Sequence, residues 1–360
     1  MSQPEPTGRT TPPHPPLPAR AAGLGAVTRR TALTGGAAGL AAFLAACGGS
    51  GGGADPTEAA ETPSAVYPKG GKPRFVFVNH VTTNPFFSWA RRGADDACAL
   101  LGASYQWTGS ETSNVKEMLS AFDTAVTSRA DGIAVVLTDQ KAFDAPVKKA
   151  LDAGIPVVAY NADAPSTGRL AYIGQDLFGS GQEMARRAIE LVGKGKVALF
   201  VATPGSSDLQ PRLDGVRDIF DRHPEIDLDV ITTGAALPDQ LSTIDAYVAG
   251  HDDVKGLFSV DGGSTQGLAQ VIQKRGLREK GVKGGGYDLN PLTRKLLAAG
   301  QIDFSIDQQP YLQGFLPILQ LYQYRVSGHV TGLADVNTGL KFVDRETIAP
   351  YNDEANSRFG

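Results

Sequence analysis

The side chains in this 360-residue sequence that could do chemistry are carboxylates, amides, one arginine and an aromatic pair, and they cluster just after short apolar runs. Asn84, Phe86 and Phe87 lie in His80–Trp89 (HVTTNPFFSW), and Asp139 lies in Leu137-Thr138-Asp139-Gln140. Asn161 and Asp163 belong to Tyr160-Asn161-Ala162-Asp163, and Arg212 sits within Ala202–Arg217 (ATPGSSDLQPRLDGVR). Asp261 follows Gly256–Val260, Tyr287-Asp288 follows Val282–Gly286, and Gln308 lies in Ile306-Asp307-Gln308-Gln309-Pro310. Amides donate and accept, carboxylates accept, and arginine donates as a fixed fork. Hydrogen bonding to a small polar molecule is open to such a set, and so is glycoside hydrolysis by paired carboxylates.

Other chemistries lack their residues. The five histidines (14, 80, 223, 251 and 329) are scattered, with no HExxH motif and no cysteine pair, so no metal site is expected. Gly-x-Ser-x-Gly occurs only as Gly48-Gly49-Ser50-Gly51-Gly52, in the Gly/Ser-rich run after Cys47 and not between a strand and a helix as a nucleophile elbow requires. Gly284-Gly285-Gly286 runs into Tyr-Asp and lacks the Lys-Ser/Thr of a phosphate cradle. No catalytic residue and no cofactor is expected. The net charge of −4 argues against nucleic acid, because phosphate binding needs a basic face.

The elements that must position these residues alternate. Arg74–Asn79 (RFVFVN) reads as a strand, and Phe87, Ala90, Ala94, Ala97 and Leu101 recur at helical spacing after it. Ser104–Trp107, Gly132–Leu137, Ile155–Tyr160 and Leu170–Ile173 read as strands, with helices around Val115–Val126 and Phe143–Ala153. The rhythm restarts at Lys196–Ala202. Strands at Leu228–Thr232, Gly256–Val260, Val282–Tyr287 and Ile302–Ile306 alternate with helices at Pro211–Asp221, Gln240–Gly250, Ser264–Arg275, Pro291–Ala299 and Tyr311–Tyr324. Repeated β-α-β units predict an α/β protein with parallel sheets covered on both faces. Two such series predict two similar lobes. Ligands of open α/β sheets bind beyond the carboxyl ends of the strands, where the residues above lie.

The first 73 residues read as an address and a tether. Residues 1–28 are Pro-, Arg- and Thr-rich and cannot build a core. Arg29-Arg30 precedes the uncharged, small-residue run Ala32–Ala46, too short for a comfortable membrane span. Its end, Leu44-Ala45-Ala46-Cys47, resembles the lipobox of bacterial lipoproteins, which implies export, lipid attachment at Cys47 and cleavage just before it. The Arg pair resembles a twin-arginine signal, and a general secretory signal fits as well. Residues 1–46 are thus expected to be a signal peptide and 47–73 a flexible Gly/Ser/Pro-rich tether. Cys98 sits on an apolar helix face and is expected to be a buried thiol.

Over about residues 74–345 the chain resembles the ribose-type, type I periplasmic sugar-binding proteins of ABC transporters. Asn84-Pro85-Phe86-Phe87 matches that family's Asn-Pro-Phe-Phe loop, which implies that Asn84 bonds a sugar hydroxyl while Phe86 and Phe87 flank the ring. Aromatic rings suit a sugar's C–H face, and amides and carboxylates suit its rim. Asn161-Ala162 stands where the ribose-binding pattern has Asp-Arg, a departure that puts ribose itself in doubt; Asp163 could partly replace the lost carboxylate. Arg212, three residues before Gly215, matches the family's arginine, and Asp261, Tyr287, Asp288 and Gln308 fall on its ligand positions. His80, Trp107 and Asp139 are further candidates, Asp139 also reading as a helix N-cap, as Asp261 and Asp288 do.

The resemblance implies two Rossmann-like lobes joined by a three-crossing hinge, the first spanning 74–175 plus 308–332 and the second 177–306 plus 335–360. It further implies a monomeric, lipid-anchored protein on the outer face of the cell membrane or in the periplasm. That protein would capture a sugar, polyol or cyclitol and deliver it to an ABC transporter permease. A same-fold lipoprotein binding a nucleoside or a signalling molecule is the alternative. A hydrolase reading would leave Arg212, Gln308 and the duplicated lobes unexplained.

Overall fold

The computed structural model describes residues 71–353. The signal peptide, nearly all of the tether, Cys47 and residues 354–360 lie outside them. The strands are β1 (Arg74–Asn79), β2 (Ser104–Gly109), β3 (Gly132–Val135), β4 (Val157–Tyr160), β5 (Ala171–Gly174), β6 (Gly195–Val201), β7 (Ile226–Thr232), β8 (Gly256–Ser259), β9 (Lys283–Tyr287), β10 (Phe304–Asp307), β11 (Val336–Asn337) and β12 (Lys341–Val343). The first sheet runs β11-β5-β4-β3-β1-β2 and the second β12-β10-β9-β8-β6-β7, each of six strands. Every pairing is parallel except that of β10 with β12. β3, β4, β8 and β10 are buried throughout, as strands covered on both faces must be.

Helices α1 (Phe86–Leu101), α2 (Val115–Thr127) and α3 (Asp144–Asp152) belong to the first series; α4 (Leu177–Val192), α5 (Gln210–Phe220), α6 (Leu237–Gly250), α7 (Gly262–Lys274) and α8 (Pro291–Ala298) belong to the second. α9 (Pro310–Val326) returns to pack on α1. α4 was not expected from the sequence. Its signal was Asp176, whose carboxylate caps Gly179 N at 3.0 Å, ahead of buried Met184, Ala185 and Ala188 at helical spacing. Two glycines in its first half weaken its intrinsic helix preference.

Both lobes bring one helix pair unusually close through glycine. A Cβ on Gly314 of α9 would stand 1.7 Å from Ala90 O of α1, and one on Gly93 2.1 Å from Tyr311 O. In the second lobe a Cβ on Gly215 of α5 would stand 2.1 Å from Phe178 O, and one on Gly181 2.1 Å from Arg212 O. Hydrogen atoms alone fit there. The Arg212-to-Gly215 spacing therefore has a packing reason: Gly215 seats the helix that carries the arginine.

The chain passes between the sheets three times, at Gly174–Leu177, Asp307–Pro310 and Asn337–Lys341. The last passage falls later than expected. Val336 and Asn337 pair with Ile173 and Gly174, so these two residues extend the first sheet rather than belonging to the second lobe. The crossings are cross-linked: Thr338 N donates to Gly174 O at 2.9 Å, Gln175 Nε2 to Gly339 O at 3.1 Å and Gln309 Nε2 to Thr338 O at 2.6 Å. Such short segments, tied to one another, are where a hinge motion can be absorbed.

Candidate ligand-binding site

Both sheets point the carboxyl ends of their strands at one cleft, which holds a cavity of about 390 Å³. Asn84, Phe86, Phe87, Asn161, Arg212, Asp261, Asp288 and Gln308 all line it, and so does His80. Phe86 and Phe87 meet edge to face with centroids 4.8 Å apart, a packing that fixes both rings at the wall. Asn84 Oδ1 accepts from Phe86 N at 3.0 Å, opening α1, so its amide nitrogen is the end left for a ligand. Asn161 sits just past β4 with φ of 64°, a left-handed conformation Asn tolerates.

Arg212 anchors the opposite wall. It is 4% exposed, donates from Nη1 to Val260 O at 3.1 Å, and donates from Nη2 to Gln308 Oε1 at 3.0 Å and Gln175 Oε1 at 3.2 Å. Its guanidinium carbon lies 4.1 Å from the centroid of the Tyr287 ring. Gln308 in turn donates to Asp288 Oδ1 at 2.6 Å. Asp288 has φ of 70°, and burial pushes its carboxyl up to about 6, against the pull of Arg212 and Gln308. Asp261 caps α7 through Ser264 N at 2.7 Å and also accepts from Ala202 N at 3.0 Å. Burial raises its carboxyl too, despite those bonds. The N-cap reading therefore holds for Asp261 while the residue also faces the cavity.

Four expected residues do not line the cavity. Tyr287 is fully buried behind Arg212, and its hydroxyl donates to Ser180 Oγ at 3.0 Å. It supports the arginine instead of meeting a ligand. Asp163 pairs with Arg169 (Oδ2 to Nη2, 2.6 Å), which also holds Asp335 at 2.7 Å beside the third crossing. Asp139 accepts from Lys141 N and Ala142 N at 2.9 and 2.7 Å in the turn ahead of α3, whose N-cap position is Phe143, so it is not the helix cap, and these bonds lower its pKa. Trp107 on β2 stacks on its cross-strand neighbour Phe77 of β1, with ring centroids 5.4 Å apart.

The sequence reading also missed wall residues. Asp208 lines the cavity with its carboxylate 3.7 Å from His80 Nε2, across the cleft, and burial lowers the His80 pKa more than Asp208 raises it. Gln240 and Asn290 line it too. Asp208, Asn290 and Gln240 each lie within a few residues of a helix start that follows a strand, a signal that was available for all three. Two further bonds cross the cleft outside the cavity: Ser207 N donates to Thr138 O at 3.1 Å, and Gln140 Nε2 to Ser207 Oγ at 2.8 Å. The lobes are thus closed on each other.

Among the described residues no group of three or more His, Cys, Asp or Glu is placed to hold a metal, and no helix is long and apolar enough to cross a membrane. Cys98 is a buried free thiol, pushed up to about 11 chiefly by burial.

Known proteins share this architecture. A family model described as a periplasmic binding protein domain matches residues 75–328. A xylose/arabinose-binding protein of Sulfolobus acidocaldarius is 46% identical over 293 residues, covering 77% of this chain and 72% of that protein. The crystal structure of an ABC transporter solute-binding protein from Burkholderia graminis, in complex with D-arabinose, is similar with a TM-score of 0.74 and 26% identity, over 78% of this chain and 98% of that one. A carbohydrate transporter protein from Acidothermus cellulolyticus, in complex with myo-inositol, has a TM-score of 0.70 and 27% identity, over 80% and 99%. With two cross-linked α/β lobes, a polar and aromatic cavity between them and a family match over most of its length, this chain belongs to the type I periplasmic binding proteins.

Proposed function

We propose that the protein captures a sugar or sugar-like polyol between its lobes and delivers it to an ABC importer, without chemical change to the ligand. The observation that carries this reading is the cavity wall: an aromatic pair on one lobe, and a buried guanidinium, amides and carboxylates on the other. Rings can cover the C–H face of a pyranose, and fixed polar groups can take its hydroxyl rim. Because both lobes contribute, a ligand stabilises the closed form over the open one. The xylose, arabinose and inositol named for its relatives fit that chemistry. The described strand-end carboxylates are committed to caps and buried bonds, which favours binding over hydrolysis.

Thermal unfolding against pentoses, hexoses, deoxysugars, polyols, inositols and nucleosides tests the reading. A ligand at one hundred times its Kd adds about 2.7 kcal/mol, a midpoint rise of roughly 5 °C or more. A rise with a saccharide or polyol is expected; a rise with nucleosides alone would transfer the site to that ligand class.

We further propose that Cys47 anchors the exported protein to the membrane by a lipid. In the native host, Cys47→Ser is expected to move the protein from the membrane fraction to the soluble fraction. Unchanged sedimentation with membranes would sink the anchor.

A further inference from the structure

Asn161 is an ambivalent ligand residue: an amide can meet a hydroxyl as donor or as acceptor, depending on which end faces it. The buried polar groups behind it remove that freedom. Arg212 is donor-only, so the Gln308 oxygen must face it, at 3.0 Å, while Gln308 Nε2 faces Asp288 Oδ1 at 2.6 Å. The Gln313 side chain then meets acceptors only: Gln308 O at 3.0 Å, Gln308 Oε1 at 3.4 Å and, at 3.5 Å, Thr338 Oγ1, whose own proton is given to Gln308 O at 2.9 Å. Gln313 must turn Nε2 toward them, which leaves its Oε1 to accept from Asn161 Nδ2 at 3.1 Å. Reversing any one amide in this series would set oxygen against oxygen in a buried place, a loss of a hydrogen bond plus a repulsion. Asn161 Oδ1 has no hydrogen-bond partner among the described residues, and Asn161 lines the cavity.

We propose that Gln313, fully buried on α9 and not part of the cavity wall, is a specificity-determining positioning residue that holds Asn161 with its oxygen toward the ligand, so that this position selects a hydroxyl able to donate. The polarity is set by Arg212 in the second lobe and handed to the first lobe through Gln308 at the hinge. The amide at 161 therefore does the work of a carboxylate acceptor without its charge. This inference rests on the proposed sugar-binding function and specifies the hydroxyl pattern within it.

The test uses D-xylose, L-arabinose and their monodeoxyfluoro analogues, with affinities measured calorimetrically. Fluorine in place of a hydroxyl can accept weakly but cannot donate. For the unaltered protein, one analogue position is expected to lose at least about 30-fold, the size of a lost hydrogen bond that leaves a buried acceptor unmet. Gln313→Leu frees the Asn161 amide to turn, and that ratio is expected to fall below about 5-fold, while Asn161→Asp added to Gln313→Leu restores it. Gln313→Met, closer in length, is measured in the same way in case the leucine variant folds poorly. A ratio unchanged in both variants, or an equal loss for every sugar and analogue without rescue by aspartate, would overturn the proposal and leave Gln313 a structural residue. Failure of every sugar to stabilise the unaltered protein would instead remove the function on which this inference rests, and the inference with it.

Discussion

Arg212→Met is expected to lower ligand affinity by at least about 100-fold and to destabilise the unliganded protein by roughly 2–3 kcal/mol, the scale of buried bonds to a charged group. The methionine fills much of the volume over Tyr287 but supplies no donor. Three bonds are lost, to Val260 O, Gln175 Oε1 and Gln308 Oε1. Two of the three acceptors belong to hinge crossings, so the change also unties the second-lobe wall from the segments about which the lobes move. Arg212→Lys is expected to recover little, because an ammonium cannot reach three acceptors from the plane that a guanidinium fork spans. Titration calorimetry with the best sugar of the panel, paired with urea unfolding, checks both numbers. Affinity within about 5-fold of the unaltered protein would show that Arg212 is a packing residue only.

Asp288 carries the second large effect, and its two consequences have opposite signs. Asp288→Ala is expected to reduce affinity by at least about 100-fold, since a charge-assisted bond is lost at a buried site and Gln308 loses its acceptor at 2.6 Å. For stability the sign is different. The folded-state pKa, about 6, is above the ordinary carboxyl range near 4, so the folded protein holds this proton more tightly than the unfolded chain. The stabilising contribution is therefore full below about pH 4 and is lost as pH rises through about 6. Asp288→Asn, which cannot ionise and tolerates the left-handed backbone at this position, is expected to be roughly 1–2 kcal/mol more stable than the unaltered protein at pH 7 while binding sugar more weakly. Ligand affinity runs the other way. The acceptor is the ionised form, so affinity should weaken as pH falls below about 6, by up to tenfold per unit, and Asp288→Asn should remove that step. A variant less stable than the parent at pH 7, or an affinity flat from pH 7 to 5, would contradict the assignment. The expected pair of results would mean that the site gives up some stability for function, a trade seen where active groups are desolvated.

Much of this was readable in the residues. Short apolar runs alternating with period-3.6 patterns predicted two β-α series, because a strand covered on both faces is apolar throughout while a helix buries one stripe. The strand ends pointed to the cavity, because parallel sheets offer open backbone ends and helix starts on one edge only. Asn84, the Phe pair, Arg212, Asp261, Asp288 and Gln308 all arrive at the cavity from those ends. α4 was overlooked because its glycines mask a good apolar spacing, and one of them, Gly181, makes room for a contact with α5 that no local rule announces.

What the chain's local order determines, then, is which elements form, in what succession, and which edge of each sheet carries polar residues. Only the tertiary structure decides which of those residues face one another. Tyr287 and Asp288 are neighbours in sequence, yet the left-handed turn at Asp288 puts one behind Arg212 and the other in the cavity wall. Asp163 is taken out of the site by Arg169, and Asp208 is brought into it opposite His80. The orientation of the Asn161 amide depends on Gln308 and Gln313, about 150 residues away, and on a charge in the other lobe. Hydrogen-bond direction is a property of a closed network, in which each donor must find an acceptor, and networks close in space rather than along the chain.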